Sequence, residues 1–327
     1  MVVMFLAGLL MIGSALDAFA AAPKKRRIAV FVPAGGVAYF QQKMYGYITE
    51  SEKLGLEVKI FDAGSYANLN KHIAQIEDAI TAKFDGLIVN AVSRDGVNPV
   101  IEKAISMGIP LVNEDVLASS PKIKCRTSED SYNAGRMEAI YLAEALKGKG
   151  KIIHLLGPPG ADIFMVRAKG TNEYLSKFPQ IKTVAEHHMQ HDVGLYTKII
   201  DDFLQGHPDV NGIITNSGTS AASLGISNAL QAARKKPGDI IVVNVDLDGE
   251  TPRLIREGWV TATILCEPVE LARASVRLVK DMMEGKPVPA HYYTKEMLVT
   301  KNTIDTVDQS GQWVPDDWYT KVRQYLK

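Results

Sequence analysis

Residues 84–92, FDGLIVNAV, form a short apolar run that ends in polar side chains. Such a run is typical of a parallel strand that helices cover on both faces. Before it, four apolar residues at steps of four, three and four predict one buried face of a helix. They are Leu69, Ile73, Ile76 and Ile80. A helix followed by such a strand is the repeating unit of an α/β sheet.

The same kind of strand occurs six times, three times in each half of the chain. The segments are residues 26–33 (RRIAVFVP), 84–92, 108–113 (GIPLVN), 151–157 (KIIHLLG), 210–216 (VNGIITN) and 239–246 (DIIVVNVD). Because parallel strands need crossover helices, this order predicts two doubly wound parallel sheets, one in each of two lobes. Ligands bind such sheets beyond the carboxyl ends of the strands. The residues after each strand are therefore the candidates for a site.

The composition is that of a globular protein. The 327 residues are 46% hydrophobic and 23% charged, which indicates neither disorder nor a membrane-embedded chain. The formal charge is zero, from 37 basic and 37 acidic residues, and this argues against nucleic acid as a partner, which selects a basic face. With only Cys125 and Cys266, neither a disulfide framework nor a zinc site is expected.

The first 22 residues differ from all that follow. Residues 2–16 are almost entirely apolar, and Ala18, Phe19 and Ala20 then supply a small-x-small pattern suited to signal peptidase. The run is shorter than the ~20 apolar residues of a membrane span, although no basic residue precedes it. We expect residues 1–22 to be a signal peptide cleaved near Ala20 and the protein to be periplasmic. A retained N-terminal anchor is the alternative.

No catalytic motif accompanies the predicted strands. A dinucleotide-dependent enzyme needs G-x-G-x-x-G after the first strand, which Ala34, Gly35 and Gly36 do not supply. Neither a G-x-S-x-G elbow nor a P-loop occurs. The sequence therefore predicts no enzyme and no cofactor. A transcription regulator with this core would need a helix-turn-helix before the first strand, where this chain has its leader.

At the strand ends the chain resembles the ribose-binding type (type I) of periplasmic solute-binding proteins of ABC transporters. The resemblance covers residues 27–301 and is most specific at residues 68–95, where a helix ending in QIEDAI precedes FDGLIVNAVSRDG. It continues in order through GIPLVNED, NAGR at residues 133–136, HPDVNGIITN, VVNVDLDGE and GWVTATILCEPVELA. It implies an α/β fold of two doubly wound parallel-sheet lobes joined by a three-strand hinge near Glu129, Cys266 and Thr294.

The resemblance also implies how the chain is divided. Residues 24–128 with 267–293 would form an N-terminal lobe, and residues 129–266 with 294–302 a C-terminal lobe. Residues 303–327 would be a C-terminal extension beyond the minimal fold. Its aromatic residues, Trp313, Trp318 and Tyr319, suit the docking of a partner, but we expect the extension to pack against the second lobe.

The same resemblance implies a ligand site between the lobes. Tyr39 and Phe40 match aromatic residues that stack on a sugar ring, with packing against the first helix as the alternative. Asp115 and Asp246 match acidic residues that accept hydrogen bonds from sugar hydroxyls, with a helix N-cap or a turn as the alternative. The remaining candidates for ligand binding are Asn90, Phe164, Arg167, His191 and Asn216.

The chain departs from sugar-binding relatives at several of these positions. Val116 and Met165 stand where those relatives often have arginines, whose forked donors read adjacent hydroxyls. This argues against a simple aldopentose and favours a less hydroxylated sugar, a polyol or another small polar molecule. His191 stands in place of an aromatic ring and can both stack and donate. Its neighbours His187 and His188 lack clear carboxylate or thiol partners, so no metal is expected.

These observations predict a monomeric periplasmic substrate-binding protein. It would capture a small polar, carbohydrate-like solute in an interlobe cleft and deliver it to the permease of an ABC importer, which reads the closed shape. The alternative is a periplasmic ligand-sensing partner of a histidine kinase or chemoreceptor. The residues of the cleft do not separate the two roles.

Overall fold

The computed structural model describes residues 25–157, 162–216 and 220–326. The predicted signal peptide lies outside these residues. In chain order the elements are β1 (Arg27–Val32), α1 (Ala38–Lys53), β2 (Glu57–Asp62), α2 (Leu69–Thr81), β3 (Gly86–Val89), α3 (Asn98–Ser106), β4 (Leu111–Glu114), β5 (Cys125–Ser128), α4 (Ser131–Ala145), β6 (Lys149–Leu156), α5 (Asp162–Leu175), β7 (Gln180–His188), α6 (Val193–Gly206), β8 (Gly212–Thr215), α7 (Ser220–Ala232), β9 (Ile241–Val245), α8 (Thr251–Glu257), β10 (Ala262–Leu265), α9 (Pro268–Met283), β11 (His291–Tyr293), β12 (Met297–Thr300), α10 (Trp318–Lys321) and a 3₁₀ helix (Val322–Leu326).

Two six-stranded sheets define the two lobes. The strand order is β11-β5-β4-β3-β1-β2 in the first sheet and β12-β10-β9-β8-β6-β7 in the second. All neighbours pair in parallel except β12, which runs antiparallel to β10 at the edge of the second sheet. Every residue of β3, β8 and β10 is buried, as expected of strands between two layers of helices. The predicted doubly wound fold is confirmed, with β12 as its antiparallel member.

The side chains of β1 contribute to two hydrophobic cores, one on each face of the first sheet. Successive side chains of a strand point to opposite faces. Ile28 and Val30 pack on one face of the first sheet with α1 and α9, whereas Phe31 packs on the other face with α2. The helical stripe predicted from residues 69–80 contacts that second face, where Ile76 is fully buried.

The chain passes between the two sheets three times. It crosses at Glu129 between β5 and α4, at Cys266 between β10 and α9, and at Thr294 between β11 and β12. These are the three predicted hinge residues, and all are buried. The second crossing returns the chain to the first lobe, because α9 packs against α1.

The C-terminal extension packs against both lobes. Ile304 lies in the core of the second lobe, but Trp318 and Val322 lie in the core of the first. The indole Nε1 of Trp318 donates to the carbonyl oxygen of Gln41 at 2.6 Å, and its ring packs edge-on against Tyr45. The prediction of packing against the second lobe is therefore wrong for the last turns, because α1 presents an aromatic surface that Trp318 covers.

Among the described residues, no helix has both the length and the apolar character that a membrane span requires.

Candidate functional site

Asp115 and Asp246 occupy equivalent places in the two lobes. Asp115 follows β4 and Asp246 follows β9, with left-handed φ angles of 62° and 75°. Few residues other than glycine adopt this conformation, and aspartate is among those that tolerate it. The next helices have Asp130 and Glu250 as their N-cap residues, so neither Asp115 nor Asp246 has a helix-cap role, and a turn is the alternative that remains.

The Tyr39 phenol is close enough to both carboxylates to feel their charges. Burial raises the pKa of its phenol well above the usual value, and the negative charges of Asp115, Glu129 and Asp246 raise it further. Because Asp115 belongs to the first lobe and Asp246 to the second, the Tyr39 side chain is close to both sides of the cleft. Its ring packs edge-on against Phe40, with the ring centroids 5.4 Å apart. Phe40 is buried in the core of the first lobe, so Tyr39 is the more accessible ring of the pair.

The first lobe contains a buried lysine that the sequence analysis missed. The Lys43 side chain is fully buried, and its Nζ lies 2.7 Å from Glu114 Oε1 and 3.1 Å from Asp115 Oδ2. Burial alone would lower the pKa of Lys43, but the carboxylates of Asp115 and Glu114 raise it above its usual value. A sequence signal was present: Lys43 comes four residues after Tyr39, on the same face of α1.

Asn90 forms hydrogen bonds with this buried cluster. Its Oδ1 accepts from Lys43 Nζ, and its Nδ2 donates to Phe31 O at 3.2 Å and to the Tyr47 hydroxyl at 3.1 Å. The Tyr47 hydroxyl in turn donates to Glu114 Oε1 at 2.7 Å. The amide of Asn90 is therefore hydrogen-bonded to protein groups and is fully buried, and its contact with a ligand stays a prediction.

Arg167 forms a buried ion pair with the hinge residue Glu129. Its Nη2 and Nε lie 2.6 Å and 3.0 Å from Glu129 Oε1, and its Nη1 donates to the carbonyl oxygen of Asn216 at 3.0 Å. Burial would raise the pKa of Glu129, but the Arg167 guanidinium holds it below its usual value. The guanidinium thus links the first crossing to the end of β8. Met165, which stands where sugar-binding relatives often have an arginine, has an exposed side chain instead.

Asn216 has the same inward orientation in the second lobe as Asn90 has in the first. Its Nδ2 donates to Glu138 Oε2 at 2.7 Å and to Thr171 Oγ1 at 3.0 Å, and its Oδ1 contacts His154 Nε2 at 2.6 Å. Asn216 is fully buried. Burial raises the pKa of Glu138 well above its usual value, and its Oε1 is buried without a hydrogen-bond partner among the described residues. Residues 217–219 of the adjoining polar segment lie outside the described residues.

The surroundings of the Asp246 carboxyl shift its pKa into the neutral range. Burial raises its pKa to about 7, opposed by Arg167 and reinforced by Glu129. The thiol of Cys266 forms a hydrogen bond with it, and burial together with Glu129 raises the pKa of that thiol well above its usual value. Cys266 is therefore a neutral donor at the second crossing.

Phe164 and His191 form an aromatic pair on the second lobe. Their ring centroids are 6.0 Å apart and nearly perpendicular, and the Arg167 guanidinium lies 5.9 Å from the centre of the Phe164 ring. A Cβ on Gly157 would overlap the Phe164 ring, so glycine at the end of β6 allows this ring to lie against the backbone. Within the described ranges, no cluster of His, Cys, Asp and Glu has the arrangement of a metal site.

The structure thus brings Tyr39, Asp115, Arg167 and Asp246 together around the cleft. It turns the Asn90 and Asn216 side chains into the two lobes. It also adds Lys43 and Glu114, which the sequence analysis did not select.

Comparison with known proteins agrees with this architecture. The model of the periplasmic binding protein domain family matches residues 28–287, so the chain belongs to this family, whose members bind solutes rather than catalyse reactions. The chain is 26% identical over 250 residues to the ribose import binding protein RbsB of Bacillus subtilis, which covers 76% of this chain and 79% of that protein. The predicted family is confirmed.

Two further relatives show the range of the family. The xylitol-binding protein of Mycolicibacterium smegmatis is 24% identical over 240 residues, which are 73% of this chain and 67% of that protein. An ABC transporter solute-binding protein from Bradyrhizobium sp. BTAi1, solved with bound Bis-Tris, has a TM-score of 0.82 and 26% identity, covering 90% of this chain and 88% of its own.

Proposed function

We propose that the protein binds a sugar, a polyol or a related small polar solute in the cleft between the lobes and delivers it to the permease of an ABC importer. The observation that carries this proposal is the equivalent placement of Asp115 after β4 of the first lobe and Asp246 after β9 of the second, with the charges of both acting on the Tyr39 phenol. Relatives that the chain resembles are named for ribose and xylitol, and one solved relative holds Bis-Tris, a hydroxylated amine.

The two carboxylates supply acceptors for hydroxyl groups, and Tyr39 supplies a flat apolar surface with a polar end. A solute that contacts both lobes stabilises the closed arrangement by its differential affinity for it. The three crossings at Glu129, Cys266 and Thr294 are the segments that can bend between open and closed states. We propose that the chain acts as a monomer in the periplasm, after cleavage near Ala20.

A thermal-shift screen of the protein without its leader tests this proposal. A solute that binds only the folded protein adds about 2.7 kcal/mol at 100 times its dissociation constant. We expect a sugar, polyol or related solute to raise the melting temperature, and Asp246→Asn to weaken its binding at least tenfold. Asp305→Asn is the matched control, because Asp305 is exposed on the second lobe and pairs with Arg256 at 2.9 Å.

A melting temperature unchanged by every solute of this class would contradict the proposal, as would equal binding by Asp246→Asn and the control. The sensor role has no observation in its favour beyond the fold, which the fructose-binding periplasmic domain of a hybrid two-component system shares, with a TM-score of 0.74.

A further inference from the structure

The charged groups of the cleft do not balance. Among the described residues at the ends of the strands, two cations are buried with four carboxylates: Lys43 and Arg167 with Glu114, Asp115, Glu129 and Asp246. Glu138 is not counted, because it belongs to the separate buried network of Asn216 within the second lobe. The formal charge around the cleft is therefore −2 when all four carboxylates are ionised. Charged groups that are removed from water need partners of opposite charge.

Lys43 has no donor left for a ligand. An ammonium group has three N–H donors, and those of Lys43 are directed to Asn90 Oδ1, Glu114 Oε1 and Asp115 Oδ2. One positive charge is thus shared by two carboxylates. The second oxygen of Glu114, Oε2, is buried without a hydrogen-bond partner among the described residues, so acceptors exceed donors in this cluster.

Arg167 uses three of its five N–H donors within the protein. Its Nε and Nη2 donate to Glu129 and its Nη1 to the Asn216 carbonyl. Asp246 interacts with this guanidinium only at longer range, through the field of its charge. After both cations are assigned, one negative charge remains on the Glu114–Asp115 pair in the first lobe, and a second remains on Asp246 in the second lobe above the pKa of that carboxyl, about 7.

Aromatic rings lie beside both cations, and the charges of Asp115 and Asp246 both act on the Tyr39 phenol. In the first lobe Lys43 Nζ is 5.4 Å from the centroid of the Tyr39 ring and 5.3 Å from that of Phe40, and Tyr66 packs 6.4 Å from Phe40. In the second lobe Phe164 lies beside Arg167. A ring face carries partial negative charge and attracts cations, so the rings of Tyr39, Phe40 and Phe164 add to the attraction that the carboxylates exert on a positive group. The interior of the cleft is thus suited to a positively charged group.

We propose that the solute carries a protonated amine together with hydroxyl groups, as in an amino sugar or an aminopolyol, and that its ammonium group lies between Asp115 and Asp246. This inference rests on the proposed function, which it narrows to one class of solute. Lys43 and Arg167 then act as internal counter-ions that position the carboxylates, and the ligand supplies the missing positive charge. Its hydroxyl groups would use the remaining carboxylate oxygens.

Matched pairs of ligands test the inference by isothermal titration calorimetry at pH 7.5. The pairs are D-glucitol with 1-amino-1-deoxy-D-glucitol, D-glucose with D-glucosamine, and myo-inositol with an inositol monoamine. N-acetyl-D-glucosamine is the control that keeps the nitrogen but removes its charge. We expect the amine to bind at least tenfold more tightly than its neutral partner in at least one pair, and acetylation to abolish that gain.

A variant identifies the group responsible. Asp246→Asn keeps the shape of the side chain but removes its charge, so the preference for the amine over its neutral partner should fall at least tenfold. In Asp305→Asn the preference should be unchanged. If neutral members bind as tightly as amines in every pair that binds, the amine inference is overturned and the proposed function stands. If no member of any pair binds, both are overturned.

Discussion

Removing the buried charge of Lys43 should destabilise the first lobe strongly. The Lys43 ammonium lies 2.7 Å from Glu114 and 3.1 Å from Asp115, with all three side chains at most 5% exposed. At an effective dielectric constant of about 20, these contacts correspond to attractions of about 6 and about 5 kcal/mol. Desolvation offsets much of this gain, but Lys43→Met leaves two carboxylates buried without a counter-ion. We therefore expect a loss of about 3–5 kcal/mol in the free energy of unfolding.

A second substitution separates lost charge pairing from lost packing. Adding Glu114→Gln to Lys43→Met removes one of the two uncompensated carboxylates, so the double variant should be about 1–3 kcal/mol more stable than Lys43→Met alone. Lys103→Met is the matched control. Lys103 is half exposed and pairs with Glu77 at 3.1 Å, and loss of an exposed pair of this kind costs less than about 1 kcal/mol.

Urea unfolding followed by circular dichroism, at pH 7.5 and pH 5.5, measures these differences. Carboxylates that have lost their counter-ion bind protons more readily in the folded protein than in the unfolded chain. The loss in Lys43→Met should therefore be smaller at pH 5.5 than at pH 7.5. A loss of less than about 1 kcal/mol at pH 7.5, or a double variant less stable than Lys43→Met, would refute the charge-pairing argument.

Three further predictions concern stability. Burial raises the pKa of Asp246 to about 7, above its unfolded value of about 3.9, so the stability linked to its protonated form is present below pH 4 and lost as the pH rises through 7. Asp246→Asn should then stabilise the ligand-free protein more at pH 8 than at pH 5 in urea titrations, and an equal effect at both would contradict this. Trp318 is only 7% exposed, so Trp318→Ala should lower the free energy of unfolding, measured by thermal unfolding, by about 3–5 kcal/mol. A loss below about 1 kcal/mol would show that the extension is not part of the first core. A Cβ at Gly135 would overlap the backbone of Arg167, so Gly135→Ala should lower the free energy of unfolding by about 1–3 kcal/mol and weaken solute binding. Gly206→Ala is the control, because the space around Gly206 is open. Equal stability and binding of the two variants would argue against close packing of α4 on α5.

The fold was predictable because its signals are local. The apolar run at residues 84–92 and the helical stripe before it became β3 and α2. The positions of Asp115 and Asp246 directly after β4 and β9 were predictable from the strand pattern, and their role in ligand binding stays a prediction. Neither prediction required knowledge of side-chain contacts.

Side-chain direction at the strand ends was not predictable. Asn90 and Asn216 also follow strands, but a shift of one position reverses the face to which a side chain points. Both amides bond within the lobes, where their partners come from distant parts of the chain. Lys43 was missed for a related reason: a lysine on a helix is usually solvated, and its two carboxylate partners lie more than 70 residues away in sequence.

A crystal structure of the protein with the tightest ligand from the calorimetric pairs tests the central claim most directly. The account predicts one ligand molecule in the interlobe cleft, within hydrogen-bond distance of both Asp115 and Asp246, with its ring or chain against Tyr39. A ligand that contacts only one lobe, or that binds outside the cleft, would contradict the account.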